Sequence, residues 1–575
     1  MASILSSWLF IWQGPCYTRV RMVTEFLKNS RQLLARRQNN ILSAASILMV
    51  AVFFSRLLGL LRDRFLLGVF FGETARQLDI YFAAFRLPDM IFQLLVVGAL
   101  SAAFIPVFTQ YVLKDKRQAW HVASTVITLG FTLFIILALI LVVFAQPLSR
   151  LIAPSFSLQE LTLMANLTRV LIIAQGSFLV SNFITGILQS HRHFIIPALS
   201  PIVYNLGIIF GILVLSPILG IYGPALGVII GAFLHLIVQL PLVKTIGFNY
   251  RPSFDIFHSG VRRIGRLMLP RTLALAVSQI ELTVAVFIAT SLSTGSLAIF
   301  SVAQHLNALP VGLFGATIGQ AALPTLSQQC STKSLSKFKS LLLSSFNQVL
   351  YLSLPASMIL LILRIPIVRL AFGAKSFPWE ATLLTGKVVA LFAISVFAQA
   401  IIQILVRGFY ALANTRIPFF LGVIAVATNV SLSFLLVYKF DLGVLGLALA
   451  ISLASFLHAG LLLIFLSSLV GGFNKSKLFT PFLKMSLATV LTGFALWIPL
   501  KVLDRYILNT AKTIQLIILA IITISIGLSV YFLLSKLFKI KELDSFVNLL
   551  KRIKNFQRFL SQTEKVLENP IPQES

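Results

Sequence analysis

Ionisable side chains inside long apolar runs are the residues of this sequence that could do chemistry. A charge in hydrocarbon is costly, so such side chains mark substrate or ion routes unless they find a partner or water. The densest group holds Ser55, Arg56, Gly59, Arg62 and Asp63. On a helix, Arg56, Gly59 and Asp63 share one face and Arg62 lies close beside them. Arg56 is the deepest of these charges, about four turns into its apolar run. This group predicts a functional site within the membrane.

Other charges of this kind occur further along the chain. Arg86 comes just before Pro88, whose ring allows local unwinding of the helix toward a cavity. Glu281 is a rare carboxylate deep in an apolar run, and we expect it to couple transport to a cation. A salt bridge from Glu281 to an arginine of the other half of the chain is the alternative. Charges near the ends of apolar runs are expected to reach the headgroups, namely Arg364, Arg407 and Arg416.

The elements that position these residues must be membrane-spanning helices. Of the 575 residues, 58% are hydrophobic and only 11% are charged, which excludes an ordinary soluble domain. Apolar runs of about 18 residues or more recur without the alternation of barrel strands. The fold is therefore predicted to be an all-α polytopic membrane protein of about fourteen transmembrane helices. The first two are expected near 41–62 and 80–111 and the last near 511–536.

The net charge of +30 is explained by membrane topology. Lysine and arginine lie in short loops between apolar runs, such as Lys244–Arg266 and Lys333–Lys339, while alternate loops such as Ser216–Tyr222 carry none. Basic loops stay in the cytoplasm. Both termini are therefore predicted to be cytoplasmic, and no nucleic-acid partner is expected.

An internal repeat divides the chain into two similar halves. Gly220, Gly223 and His235 align with Gly443, Gly446 and His458 at one constant offset, and Leu87-Pro88 matches Leu309-Pro310. Six helices return the chain to the same side, so the two units are parallel repeats enclosing a cavity. The predicted organisation is an N-terminal extension (1–40), a six-helix lobe (41–244), a basic cytoplasmic linker (245–265), a second six-helix lobe (266–470), two additional helices (471–536) and a cytoplasmic amphipathic helix and tail (537–575).

Enzymatic and nucleotide-binding motifs are missing from the sequence. With 17 acidic residues in the chain, we find no HExxH, no phosphate-binding glycine loop and no nucleophile elbow. Cys16 and Cys330 are too few for a four-ligand zinc site. No enzyme activity, metal or cofactor is expected, and any energy input should come from a cation gradient or the membrane potential.

The motifs of the first two predicted helices resemble those of the MurJ/MviN family of lipid II flippases. The matching residues are Ser55-Arg56, Gly59, Arg62-Asp63, Asp79, Phe82, Ala84 through Pro88, Gly98-Ala99, Ser101, Ala103-Phe104 and Pro106, with Gly312, Gly315 and Ala322-Leu323-Pro324 on the eighth. The resemblance implies two lobes, alternating access, and a cationic cavity in the bacterial cytoplasmic membrane. The implied partners are membrane lipids and a substrate, the undecaprenyl-diphosphate-linked precursor of peptidoglycan, and a monomer is expected.

The resemblance also implies which residues bind the substrate. Arg56 and Arg62 become contacts to the diphosphate, which arginine grips through paired donors, with Ser55 and Gly59 beside them. Asp79 and Arg86 support the second helix, and His305 stands on the eighth. Two expected arginines are absent, because this chain has Phe92 and His305 at their places. Another lipid-linked oligosaccharide, or a drug-type small molecule moved by antiport, therefore stays open as the substrate.

Overall fold

The computed structural model describes residues 41–72, 74–97, 103–331, 335–373 and 376–544, which are helical and contain no β-strand. The predicted extension at 1–40 and most of the predicted tail at 537–575 lie outside these residues. Long helices dominate because the apolar runs must satisfy their backbone hydrogen bonds internally.

Fourteen long helical segments follow one another in the described chain. They are α1 (Ile41–Phe70), α2 (75–97 and 103–114), α3 (Lys116–Val143), α4 (Leu158–Ser190), α5 (Ile195–Leu219), α6 (Tyr222–Thr245), α7 (Ser259–Thr290), α8 (Ser296–Cys330), α9 (Leu335–Ile362), α10 (Trp379–Ala411), α11 (Arg416–Lys439), α12 (Gly443–Leu469), α13 (Ser476–Ile507) and α14 (Thr513–Leu537). Short helices at Ala145–Ile152 and Arg364–Phe372 connect their neighbours. The predicted all-α membrane fold is confirmed.

The first two helices differ from the rest. Among the described residues, the 12 helices α3 to α14 are long and apolar enough to cross a membrane. Helix α1 carries four charges between Arg56 and Arg64. Helix α2 is built of the pieces Ala75–Ala84, Arg86–Phe92, Gln93–Val97 and Ile105–Lys114, of which Gln93–Val97 is a π-helical turn. The first two predicted helices thus consist of one continuous helix, α1, and one interrupted helix, α2.

The end of α1 corrects the prediction from the sequence. The first helix was expected to stop near residue 62, but it continues to Phe70. The charges from Arg62 onward suggested a loop, whereas Arg62 and Asp63 neutralise each other at 2.7 Å and remain in the helix. Residues 63–79, which lie between the first two predicted helices, are therefore mostly helical.

Two compact units make up the chain, Met1–Gly295 and Ser296–Ser575. Helix α7 belongs to the first unit, since Thr272 and Thr290 of α7 hydrogen-bond with Leu94 and Ser155. The lobe boundary predicted from the sequence is the basic linker at 245–265, which precedes α7. The boundary between the two compact units follows α7, after Gly295. The linker can be recognised from its basic composition, but no sequence pattern indicates that α7 packs against the first unit.

Matching sequence positions of the two halves adopt matching backbone structure. Gly220 and Gly443 have φ of +56° and +52°, in the left-handed region that favours glycine, and they begin the connections into α6 and α12. A π-helical turn precedes each of them, at Gly211–Leu215 and at Leu435–Lys439. The same turn type follows Pro310, at Val311–Ala316. Repeated glycines and prolines thus produce repeated breaks in the helices.

Helices α5 and α6 pack backbone against backbone. A Cβ added to Gly211 would lie 2.5 Å from the Cα of Gly227, and one added to Gly223 would lie 2.5 Å from the backbone nitrogen of Ser216. No side chain fits at these distances, so the glycines permit the close approach that small residues give to membrane helices. This contact fixes the position of α5, which carries Asn205.

The segment between α6 and α7 lies along α3. Tyr250 and Thr128 are joined by a hydroxyl hydrogen bond of 2.9 Å, and His121 Nε2 lies 3.1 Å from the carboxylate of Asp255. The hydrogen bond to His121 holds the pKa of Asp255 below its usual value. These contacts attach the basic linker to the first unit.

Candidate functional site

Asn205 on α5 is the centre of the polar contacts between α5 and α1. Its Nδ2 donates to the backbone oxygens of Ser55, at 3.2 Å, and Pro201, at 3.0 Å. Its Oδ1 accepts a 3.3 Å hydrogen bond from Arg62 Nη1. A Cβ on Gly59 would lie 3.9 Å from the same oxygen, so Gly59 faces Asn205. The structure thus brings Ser55, Gly59 and Arg62 together around one buried amide.

Arg62 is held in place by its neighbour Asp63. The Nε and Nη2 atoms of Arg62 donate to Asp63 Oδ1 at 3.0 and 2.7 Å, and only 2% of the Asp63 side chain is exposed. The arginine side chain is 21% exposed and can still meet a ligand. Since Asp63 balances its charge, Arg62 offers an incoming anion less net attraction than an unpaired arginine would.

Arg56 has a different environment on the same helix. It lies midway along α1 and is half-buried. Within the part of the chain that the structure describes, its guanidinium has no hydrogen bond or ion pair. Its donors are therefore available to a ligand. Arg56 thus has no partner among the described residues, whereas Arg62 is hydrogen-bonded to Asp63 and Asn205.

Arg86 connects α2 to α7. Its Nε donates to the Thr283 hydroxyl at 2.9 Å, and its Nη2 donates to both the backbone oxygen and the side-chain oxygen of Gln279. Only 6% of Arg86 is exposed. The Arg86 side chain therefore joins α2 to α7 by hydrogen bonds. On α7, Gln279 and Thr283 at i and i+4 face α2, so Glu281 is turned toward another side of that helix.

Asp79 lies on α2, about two helical turns before Arg86. It is buried, and its Oδ2 accepts a 2.6 Å hydrogen bond from the backbone nitrogen of Gly295. Gly295 has φ of +86° and ends the loop that follows α7. Asp79 therefore anchors this loop, and the Asn205 group does not include it.

Phe92, at the place where the resemblance predicts an arginine, belongs to an aromatic cluster. Its ring lies 6.0 Å from that of Phe178, which lies 4.8 Å from Tyr204 and 5.4 Å from His235. His235 also hydrogen-bonds with the Ser181 hydroxyl at 2.6 Å. The first unit thus has a cluster of aromatic rings where an arginine was expected.

The second unit places His305 near a chain of neutral polar residues. His305 is exposed on α8, two residues before Asn307, whose Nδ2 donates to Gln399 Oε1 at 3.0 Å. Gln399 donates to Ser395, and Ser395 lies 3.0 Å from the Ser452 hydroxyl. Helices α8, α10 and α12 are joined by this chain, which carries no formal charge.

Several residues of the site are absent from the sequence-based prediction. Asn205, Gln279 and Thr283 hold the arginines in position, yet each is neutral. A search for charges inside apolar runs passes over them. The available signal was that Asn205 is an amide in an otherwise apolar run, where polar groups join neighbouring helices.

Comparison with protein families and curated proteins places this architecture among known transporters. The family model described as "Lipid II flippase MurJ" matches residues 69–515. A probable lipid II flippase MurJ of Bdellovibrio bacteriovorus is 29% identical over 508 residues, covering 87% of this chain and 95% of the relative. The corresponding protein of Thermotoga maritima is 30% identical over 500 residues, covering 86% and 96%.

Solved structures give the same result for the fold. A lipid II flippase MurJ in an inward closed conformation matches with a TM-score of 0.71 and 25% identity, covering 85% of this chain and 98% of that chain. An inward-facing multidrug resistance transporter of the MATE family matches with a TM-score of 0.62 but only 13% identity, covering 72% and 94%. The second likeness concerns the fold alone.

Proposed function

The chain belongs to the MurJ family of lipid II flippases, and we infer from this membership that it translocates lipid II across the bacterial cytoplasmic membrane for cell-wall synthesis. The structural observation that supports this function is the guanidinium of Arg56. It lies midway along α1 and makes no hydrogen bond or ion pair with the described residues. A charge in the middle of a membrane helix is retained where it serves a substrate, and an arginine suits a diphosphate.

The described contacts support a division of labour among the site residues. Arg56 contacts the diphosphate, and Arg62, fixed by Asp63 and Asn205, adds a second donor beside it. Ser55 and Gly59 shape the backbone there. Arg86 positions α7, and Asp79 positions the loop after α7. His305 is proposed to line the substrate route from the second unit. Transport of this kind makes and breaks no covalent bond, so it requires binding groups and no catalytic residue.

Complementation tests the function directly. The chain should restore growth to cells whose own lipid II flippase has been depleted, because it would return the precursor to the outer face. Externally added enzyme that consumes exposed lipid II should then detect the precursor again. A chain that reaches the membrane at normal levels but restores neither growth nor exposure would contradict lipid II as the substrate.

A coupling role for Glu281 is a finer proposal within this function. The residue is a half-buried carboxylate on α7, the helix that Arg86 attaches to α2. If its charge couples transport to a cation, Glu281→Gln should make transport insensitive to the sodium or proton gradient that drives the unmodified protein. Glu380→Gln, on a first helical turn of the second unit, is the matched control. Unchanged gradient dependence in Glu281→Gln would remove the coupling role.

We also propose that both termini face the cytoplasm and that the chain acts as a monomer, since one chain carries both six-helix repeats. The basic residues of the loop before α9 support the orientation. A cysteine introduced at Ser336 should resist an impermeant thiol reagent in intact cells and react after the cells are opened, in a protein lacking Cys16 and Cys330. Labelling of intact cells would reverse the orientation.

A further inference from the structure

An apolar cavity lies in the first unit, away from the arginine site. It has a volume of about 690 Å³, is open on one side and is lined by α3, α4, the end of α6 and the start of the following linker. Its wall includes Ile127, Val180, Ile184, Val243 and Phe248. The cavity shares no residue with the Asn205 group, which lies between α1 and α5. A molecule bound in this cavity would therefore not touch the residues of the Asn205 group.

The linker between α6 and α7 forms part of the cavity wall and is held against α3 by side-chain contacts. The Tyr250 hydroxyl is tied to Thr128 at 2.9 Å, and the ring of Phe248 lies 5.3 Å from that of Trp120. Both linker residues line the cavity. Cavities of roughly 300–1,000 Å³ with mostly apolar walls are of the size that holds small ligands. An apolar interior gives water too few hydrogen-bonding partners, so an apolar ligand fits better.

A single lysine supplies charge to this cavity. Lys244 lines it and is exposed, and it has no acidic partner in the described part of the chain. The nearby linker adds Arg251. An apolar interior with a cation at its exposed side is complementary to an amphiphile that has an acyl chain and an anionic headgroup. The surrounding membrane supplies such molecules, and basic residues near its surface attract them.

We propose that this cavity holds an acyl chain of an anionic phospholipid, with the lipid phosphate bound by Lys244. The bound lipid fills the space between α3, α4 and α6 and joins the linker to the membrane. The site is separate from the one proposed for the transported substrate and does not depend on that function.

Quenching of Trp120 fluorescence tests the proposal, because Trp120 contacts a wall residue of the cavity. The protein would carry Trp8→Phe, Trp12→Phe, Trp379→Phe and Trp497→Phe, in bilayer discs of phosphatidylcholine. Phosphatidylglycerol with brominated acyl chains should quench Trp120 at lower mole fractions than equally brominated phosphatidylcholine. Lys244→Ala should weaken this preference by about five-fold, the contribution of one lysine near an anionic surface, and Lys244→Glu should abolish it.

Two controls make the result specific. Val180→Phe, which fills the cavity, should reduce quenching by both lipids, while Lys477→Ala, an exposed lysine of the second unit, should change neither. Equal quenching by the two brominated lipids, or an unchanged preference in Lys244→Glu, would overturn the proposal. Relief of quenching by a polyprenyl phosphate at lower concentration than by unbrominated phosphatidylglycerol would also overturn it, in favour of an isoprenoid occupant. Because Lys244 is exposed, its variants should fold, which keeps the test decisive.

Discussion

Replacing Arg56 with alanine should lower lipid II transport about ten- to hundred-fold while leaving the thermal stability of the protein unchanged. A hydrogen bond to a charged group is worth roughly 1.5–3 kcal/mol, which corresponds to this range. Stability should not fall, because Arg56 has no hydrogen bond or ion pair among the described residues. Few other cations can replace Arg56 at the diphosphate, since Phe92 and His305 stand where the family resemblance predicts arginines.

The measurement compares Arg56→Ala, Arg56→Lys and Arg364→Ala at equal membrane levels. Lysine keeps the charge but offers a single ammonium, so Arg56→Lys should recover only part of the transport. Arg364 is a suitable control because it donates to the Leu361 backbone oxygen at 2.8 Å in the second unit. If Arg56→Ala transports normally and Arg364→Ala does not, the substrate binds elsewhere.

The fold was largely predictable because apolar length alone defines a membrane helix. The last membrane helix, predicted near 511–536, is Thr513–Leu537. Errors arose where local contacts override composition. Helix α1 runs past its predicted end because Asp63 neutralises Arg62. Helix α7 begins at Ser259, earlier than the predicted 266, since His258 Nδ1 accepts a hydrogen bond from the Gly260 backbone at its N-terminus.

The site was predictable only as far as its charges. The sequence indicates which arginines lie in apolar runs but not which of them have partners, because the partners come from distant helices. Asn205 reaches Arg62 across 143 positions, and Gln279 reaches Arg86 across 193. The constant spacing of the glycines shows a repeat, yet the backbone contact between Gly211 and Gly227 that places Asn205 requires coordinates.

Arg62 should behave in the opposite way to Arg56, because it is the ion-pair partner of the buried carboxylate of Asp63. Arg62→Ala removes two donors from Asp63, a carboxylate that is only 2% exposed, and one donor from Asn205. Removing one partner of a buried pair costs roughly 3–5 kcal/mol, more than most single substitutions. We therefore expect a clear drop in melting temperature and in the yield of monodisperse protein.

The double variant Arg62→Ala, Asp63→Asn separates folding from substrate binding. With the carboxylate neutralised, no buried charge is left without its arginine, so the double variant should regain most of the stability that Arg62→Ala loses. Its transport should stay low, because the second donor beside Arg56 is still missing. Thermal unfolding and flipping are measured on the same preparations, with Asp63→Asn alone as the control. Full transport by the stable double variant would mean that Arg62 serves only to balance Asp63, and Arg56 would then bind the diphosphate without help from Arg62.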